Sequence, residues 1–154
     1  MLTWLLHRWI DAFEREYAYD AGYLREAASI DAGGTLKFAL GALFSQHRAR
    51  ELPPAAFHAA KLASALEEDC GPCAQLGVAM AERAGVSAAD LRALIAGAPE
   101  AAGPDAVLGF RFARAVLRHD PAADDLREEA AAARERRGAE GVEPSAQVPA
   151  PEQA

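Results

Sequence analysis

Apolar residues recur every three or four positions along most of the chain, which is the spacing of one face of an α-helix. The pattern is clearest at the start of the sequence, where charged residues separate the apolar ones. The apolar positions there are Leu2, Leu5, Leu6, Trp9, Ile10, Phe13 and Tyr17. We expect this segment to form an amphipathic helix. Its apolar stripe either faces the protein's own core or packs against a second subunit.

Proline, glycine and capping residues mark the ends of the later helices. A short second helix is expected after Asp20 and a third from about Asp31, and the pair Pro53-Pro54 stops one helix and starts the next. The following helices are predicted over residues 55–68, 70–85, 88–96, 104–117 and 122–137. No stretch alternates apolar and polar residues with a period of two, which is the pattern of a sheet strand. The predicted fold class is therefore all-α.

A chain of 154 residues is long enough to bury a core within one domain. We predict a single helical domain over residues 1–137, with N-terminal helices in 1–50 and the core helices in 53–118. The last helix is polar and rich in alanine. Residues 138–154 contain three prolines and are predicted to be disordered.

The charge of the chain bears on its partners and location. Acidic residues number 23 against 16 basic ones, giving a net charge of −7. Such a surface repels phosphate backbones and anionic lipids, so we expect neither a nucleic acid nor a membrane as partner. The first ten residues carry charge but no basic leader, and no apolar run reaches membrane-spanning length. The predicted location is the cytoplasm.

The two cysteines of the chain stand together as Cys70-Gly71-Pro72-Cys73. Residues i and i+3 share one face of a helix, which allows the short Cα separation of a disulfide. A helix that begins at Cys70 would also favour its thiolate through the positive end of the helix dipole. The pair is therefore a reversible dithiol, a structural disulfide or half of a metal site. In a reducing compartment the first and last are commoner than a structural bridge.

Neighbouring side chains decide between these alternatives. The helix dipole contributes about 0.3–1 kcal/mol toward the thiolate, and a like charge near 4 Å in water opposes it by about 1 kcal/mol. Because Glu67, Glu68 and Asp69 precede Cys70, the two effects are of similar size at its sulfur. A nearby base would then decide the reactivity of the thiol.

Zinc would need two more ligands, and His47 with His58 could supply them, but no second CxxC or paired-histidine spacing supports this. We expect neither a metal nor another cofactor.

The sequence around the cysteines resembles a known family. Thioredoxins also carry CGPC, but they need a strand before it, and here a helix precedes Cys70. The frame Cys70-Gly71-Pro72-Cys73, the run 80–87 (MAERAGVS) and the following Asp90-Leu91 are instead similar to the alkylhydroperoxidase D and carboxymuconolactone decarboxylase superfamily. The resemblance covers residues 53–97 and extends more loosely to 118. It implies an oligomeric helical bundle with the CxxC at the N-terminus of a central helix.

The redox branch of that family uses its cysteine pair in peroxide reduction or disulfide exchange, which Cys70 and Cys73 match. The decarboxylase activity uses no such pair and is set aside. Two family positions differ here. The histidine four residues after the second cysteine is replaced by Gly77, and the glutamate twelve residues before the first cysteine is replaced by His58.

Two functional hypotheses follow. The first is an antioxidant-type oxidoreductase, a thiol-dependent peroxidase or disulfide reductase. It acts on a peroxide or disulfide, is recycled by a thiol reductant, and has Cys70, Cys73 and His58 as its catalytic residues. In this hypothesis His58 replaces the missing relay histidine from the neighbouring helix. The second is a non-catalytic helical oligomerisation or redox-sensing module whose cysteine pair is regulatory or idle. Under either hypothesis we expect a homo-oligomer.

Overall fold

The computed structural model describes residues 1–48 and 52–139 of the chain. Within these residues the backbone forms α-helices and one short 3-10 helix and contains no strand, which confirms the all-α prediction. The α-helices are α1 (Leu2–Tyr17), α2 (Gly22–Ile30), α3 (Ala32–Arg48), α4 (Pro54–Glu67), α5 (Gly71–Arg83), α6 (Ala88–Ile95), α7 (Pro104–Leu117) and α8 (Ala122–Ala139). The 3-10 helix, Pro99–Ala101, precedes α7 and was not predicted.

Most helix boundaries lie within two residues of their predicted positions. Pro54 and Pro104 open α4 and α7 from the first turn, where a missing N–H costs nothing. Gly85 and Gly97 follow α5 and α6 with φ angles of 82° and 74°, the left-handed conformation that commonly ends a helix. Helix α8 extends to Ala139, and the rest of the predicted disordered tail, residues 140–154, lies outside the described residues.

The chain divides into two compact units, Met1–Glu51 and Leu52–Ala154. The first unit contains α1, α2 and α3 around a small apolar core. Its buried residues are Leu6, Ile10, Ala21, Leu24 and Ala28. Arg25 of α2 joins α1 and α2, because it forms ion pairs with Asp11, at 2.7 Å, and with Glu14.

The apolar stripe of α1 is only partly buried. Leu6 and Ile10 lie in the core of the first unit. Trp4 and Leu5, from the same stripe, keep 60% and 56% of their area exposed. The stripe therefore faces its own core along one edge and leaves large apolar side chains in solvent along the other.

The second unit is built around α4, which packs against α5, α6 and α7. Its buried apolar residues are Ala59, Leu62, Ala63, Ala81, Val86, Leu91, Leu94, Ala106 and Phe110. Helices α4 and α7 approach very closely at Gly109, where an added Cβ would lie 2.8 Å from the Cα of Ala56. Towards the other end of both helices Glu67 pairs with Arg114 and Arg118, so α4 and α7 run parallel.

No helix in the described residues combines the length and the apolar character that crossing a bilayer requires.

Candidate redox site at the start of α5

The connection between α4 and α5 places the cysteine pair. Asp69 adopts a left-handed conformation with φ of 50°, a position that glycine usually occupies at a helix end. The backbone N–H of Asp69 donates to the carbonyl of Leu66 at 3.3 Å, and that of Cys70 donates to the carbonyl of Ala65 at 3.0 Å. These two bonds form a Schellman motif, which satisfies the last carbonyls of α4. Cys70 is thereby held against the end of α4.

Cys70 is at the same time the N-cap of α5. Its Sγ accepts a hydrogen bond from the backbone N–H of Cys73 at 3.3 Å, and its carbonyl accepts one from Ala74 at 2.9 Å. Pro72 lies in the first turn, where its ring favours helical φ. The sulfur of Cys70 therefore lies at the positive end of the α5 dipole, beside a backbone donor that stabilises a thiolate.

The sulfurs of Cys70 and Cys73 are bonded to each other, and the two Cα atoms are 5.2 Å apart. That separation lies within the usual range of disulfides, as the i, i+3 spacing predicts. Cys70 is half-buried and Cys73 is exposed. The pair is thus a disulfide at the surface of the second unit, with one cysteine accessible to an external thiol.

The acidic run before the cysteines is divided between two environments. Glu67 accepts hydrogen bonds from Arg118, at 2.8 and 3.0 Å, and from Arg114, at 2.8 Å. These bonds, first from Arg118 and then from Arg114, hold the pKa of Glu67 below its usual range. Glu68 and Asp69 are exposed to solvent. The charge of Glu67 is therefore balanced, and Glu68 and Asp69 are the carboxylates that oppose a thiolate at Cys70.

His58 lies on α4 and is buried, with 6% of its area exposed. Its Nδ1 atom is enclosed and has no hydrogen-bond partner among the described residues. Burial lowers the pKa of His58, and the nearby charge of Lys61 lowers it further. The imidazole packs edge-on against the ring of Phe57, with 5.2 Å between the ring centroids. The side chain is thus a largely neutral imidazole inside the second unit.

The structure brings Cys70 and Cys73 together, but His58 lies further towards the N-terminus of α4, at a distance from both. His58 precedes Glu67 by nine residues, which corresponds to about 13 Å of helix axis. Since the cysteines lie at the end of α4 marked by Glu67, a direct hydrogen bond from His58 to either sulfur does not fit this arrangement. A relay role for His58 stays a prediction, and it would need intervening water.

Within the described part of the chain, no group of three or more histidine, cysteine, aspartate or glutamate residues is arranged to hold a metal ion. The side chain of His47, which the sequence offered as a further ligand, lies outside the described atoms.

Two features of the site were not anticipated from the sequence. One is the left-handed Asp69, which replaces the glycine that normally signals a helix end. The other is the pairing of Glu67 with Arg114 and Arg118. Arg114 lies in the last turn of α7 and Arg118 directly follows the helix. Their spacing of four residues was the available clue to a shared partner.

Comparison of the chain with protein-family models, curated proteins and solved structures finds no match. The resemblance to the alkylhydroperoxidase D superfamily therefore stays a prediction from the motif.

Proposed function

We propose that the protein is a thiol-dependent oxidoreductase of the alkylhydroperoxidase D type, in which the Cys70/Cys73 dithiol reduces a peroxide or a disulfide. One observation carries the proposal. The two cysteines are bonded at the N-terminus of α5, with the Cys70 sulfur on a helix N–H and Cys73 exposed. A disulfide in this position can be reduced and formed again repeatedly. The exposure of Cys73 gives a reductant access to its sulfur, and the helix terminus stabilises a thiolate at Cys70.

In the reductive half of the cycle, a reductant thiolate attacks the sulfur of Cys73. The disulfide breaks, a mixed disulfide forms at Cys73, and Cys70 leaves as a thiolate. A good leaving thiol is one of low pKa, and the N–H of Cys73 together with the α5 dipole provides that stabilisation at Cys70. A second reductant thiolate attacks the reductant sulfur of the mixed disulfide, giving oxidised reductant and the Cys73 thiolate, which takes up a proton.

In the oxidative half, the Cys70 thiolate attacks one oxygen of a hydroperoxide. The O–O bond breaks, the alkoxide takes a proton and leaves as an alcohol, and Cys70 becomes a sulfenic acid. The thiol of Cys73 then attacks that sulfur, water leaves, and the disulfide forms again. The peroxide gains two electrons and the two thiols lose them. With a disulfide as substrate, the same two cysteines exchange with it directly.

The position of the family's relay histidine bears on the rate of this cycle. A Cβ added at Gly77 would meet no heavy atom within 4 Å, so a side chain can be placed there. Gly77 lies four residues after Cys73 and shares its helical face. We propose that the glycine limits proton transfer and that Gly77→His supplies the missing base next to Cys73.

The test is peroxide consumption with a dithiol reductant. Wild type should turn over, while Cys70→Ser and Cys73→Ser should lose turnover. Gly77→His should raise the rate by about tenfold or more, in line with the contribution of a positioned base. Gly77→Ala is the matched control, because it adds a side chain without a base.

Absence of turnover with peroxides and disulfides alike, in a protein whose cysteines still cycle between dithiol and disulfide, would refute the enzyme. It would favour the redox-sensing module, which the missing histidine at Gly77 supports. Turnover unaffected by both serine variants would remove the cysteines from the chemistry.

A further inference from the structure

Besides the two cysteines, helix α5 carries a third oxidisable side chain, that of Met80. Met80 follows Cys73 by seven residues, which is two helical turns and places both residues on one side of the helix. Met80 is half-buried, so it is neither sealed in the core nor fully free in solvent. A thioether takes up one oxygen atom from a peroxide and becomes a sulfoxide.

A cation lies beside the sulfur of Met80. The Nζ atom of Lys61, an exposed residue of α4, is 3.9 Å from the Sδ atom of Met80. The same ammonium is 5.5 Å from the ring centroid of Phe57. A thioether sulfur is a weak hydrogen-bond acceptor, and an aromatic ring at the surface attracts a cation only modestly. The ammonium of Lys61 would therefore gain from a stronger acceptor at the position of Met80.

The separation of the two atoms suits a sulfoxide. An S–O bond of about 1.5 Å followed by an N–H···O hydrogen bond of about 2.8 Å, with an angle of about 130° at the oxygen, spans the distance of 3.9 Å between Sδ and Nζ. Oxidation of Met80 would thus place a polar oxygen within reach of Lys61. The weak contact between α4 and α5 would become a hydrogen bond from a charged donor, which is the stronger kind.

We propose that Met80 is a site of modification by peroxides and that the ammonium of Lys61 holds the sulfoxide oxygen, so that α5 stays packed on α4 after oxidation. In the reaction the sulfur attacks one oxygen of a hydroperoxide. The O–O bond breaks and an S–O bond forms. The proton of the transferred hydroxyl passes to the alkoxide, which leaves as an alcohol. The sulfur loses two electrons and the peroxide gains them.

The partner of the new oxygen matters for the cysteines, because they lie on the same helix. Helix α5 packs on α4, and Ala81, the residue after Met80, belongs to the core of the second unit. A half-buried polar oxygen without a partner would weaken this packing. A hydrogen bond from Lys61 satisfies the oxygen, and the helix that carries the cysteines then keeps its place.

The chain contains its own reference for the modification. Its two methionines are Met1 and Met80, and Met1 is fully exposed. The protein is treated with hydrogen peroxide in its disulfide form, in which no free thiol consumes the oxidant. Mass spectrometry of peptides then gives the fraction of sulfoxide at each methionine. Both should be converted, with Met80 slower than Met1 because it is half-buried.

Urea denaturation followed by circular dichroism tests the role of Lys61, with reduced and oxidised protein compared for each variant. Oxidation should change the unfolding equilibrium constant of wild type by less than about twofold and raise that of Lys61→Leu by about threefold to tenfold, the contribution of one hydrogen bond. Lys61→Arg keeps a cationic donor and should behave like wild type. Lys37→Leu is the matched control for loss of a lysine and should also behave like wild type.

A second comparison needs no oxidant. Met80→Gln places a carbonyl oxygen near the position of the sulfoxide oxygen, and it should destabilise Lys61→Leu more than it destabilises wild type. Met80→Leu, which is similar in volume and has no oxygen, should cost the same in both backgrounds and shows any effect of oxidation at Met1 alone.

Two results would overturn the inference. A Met80 that stays reduced while Met1 is fully converted would show that the site is not modified by peroxide. Equal effects of oxidation on wild type and Lys61→Leu would show that the ammonium does not hold the sulfoxide. Neither measurement requires the cysteines to react, so the outcome is independent of the proposed oxidoreductase activity.

Discussion

The close approach of α4 and α7 at Gly109 predicts a destabilising effect of a single methyl group. In Gly109→Ala the new Cβ would lie 2.8 Å from the Cα of Ala56 and also overlap the backbone of that residue. Backbone atoms cannot rotate away, so α7 must shift along the whole seam with α4. Overpacking of this kind costs about 1–3 kcal/mol.

The same substitution improves the intrinsic helix propensity of α7. Alanine is favoured over glycine in a helix interior by about 0.8–1 kcal/mol, which offsets part of the overlap. Because the added Cβ would overlap the carbonyl oxygen and carbon of Ala56 as well as its Cα, the upper part of the overpacking range applies, about 2–3 kcal/mol. The expected net loss of unfolding free energy is therefore about 1–2 kcal/mol, a fall of about 2–8 °C in Tm for a protein of this size.

Gly77→Ala is the matched control, because Gly77 lies inside α5 and an added Cβ there meets nothing within 4 Å. This variant should gain about 0.5–1 kcal/mol from helix propensity alone. The assay is urea denaturation followed by far-UV circular dichroism, with both variants beside wild type. If Gly109→Ala is as stable as wild type while Gly77→Ala is more stable, the seam is not tightly packed and the reasoning fails.

Four further predictions concern pH, thiol reactivity and assembly. Hydrogen bonds from Arg118 and Arg114 lower the folded-state pKa of Glu67 from 4.5. Its contribution to stability is therefore present above that value and is lost as pH falls through the folded pKa. Glu67→Gln should flatten this part of the stability curve, and parallel curves would refute the ion pairs. The pKa of His58 is lowered from 6.5 by burial, so stability should fall as pH drops below that value, because the unfolded chain takes up a proton that the folded chain does not; His58→Gln should remove this step in urea titrations. In thiol alkylation against pH, a step that vanishes in His58→Gln would establish its relay role, and superimposable profiles would exclude it. The exposed Trp4 and Leu5 of α1 predict self-association, so sedimentation should give a mass well above 16.3 kDa, and a monomer at tens of micromolar would contradict it.

The helices were predicted well from the sequence, because the residues that start and end each helix lie within a few positions of the backbone they affect. The proline at the start of α7 and the glycine after α6 each act on their own turn of backbone, so their positions determine helix ends directly. The i, i+3 spacing of Cys70 and Cys73 is local in the same sense. It predicted the contact that the structure shows.

Features that depend on two distant segments were not predicted. Arg114 and Glu67 are separated by 47 residues, and Gly109 is needed only because α7 crosses α4 at that point. Asp69 is different, since aspartate takes a left-handed conformation less often than glycine, and composition gave no reason to expect it there.

The surroundings of His58 come from packing that the sequence pattern does not show. In the structure the imidazole is buried on α4, beside Phe57 and close to Lys61. The sequence gives the level of a residue along its helix, whereas the direction of the side chain depends on how the packed helices are rotated against each other.

The reduction potential of the Cys70–Cys73 pair tests the central claim most directly. The protein is equilibrated in glutathione buffers of graded ratio, alkylated, and weighed by mass spectrometry. A working redox pair should interconvert reversibly, with a change of two hydrogens in one chain and a midpoint between about −320 and −180 mV, the span of cellular thiol systems. A pair that stays fully oxidised below about −320 mV, or that oxidises only between chains, would contradict the redox function.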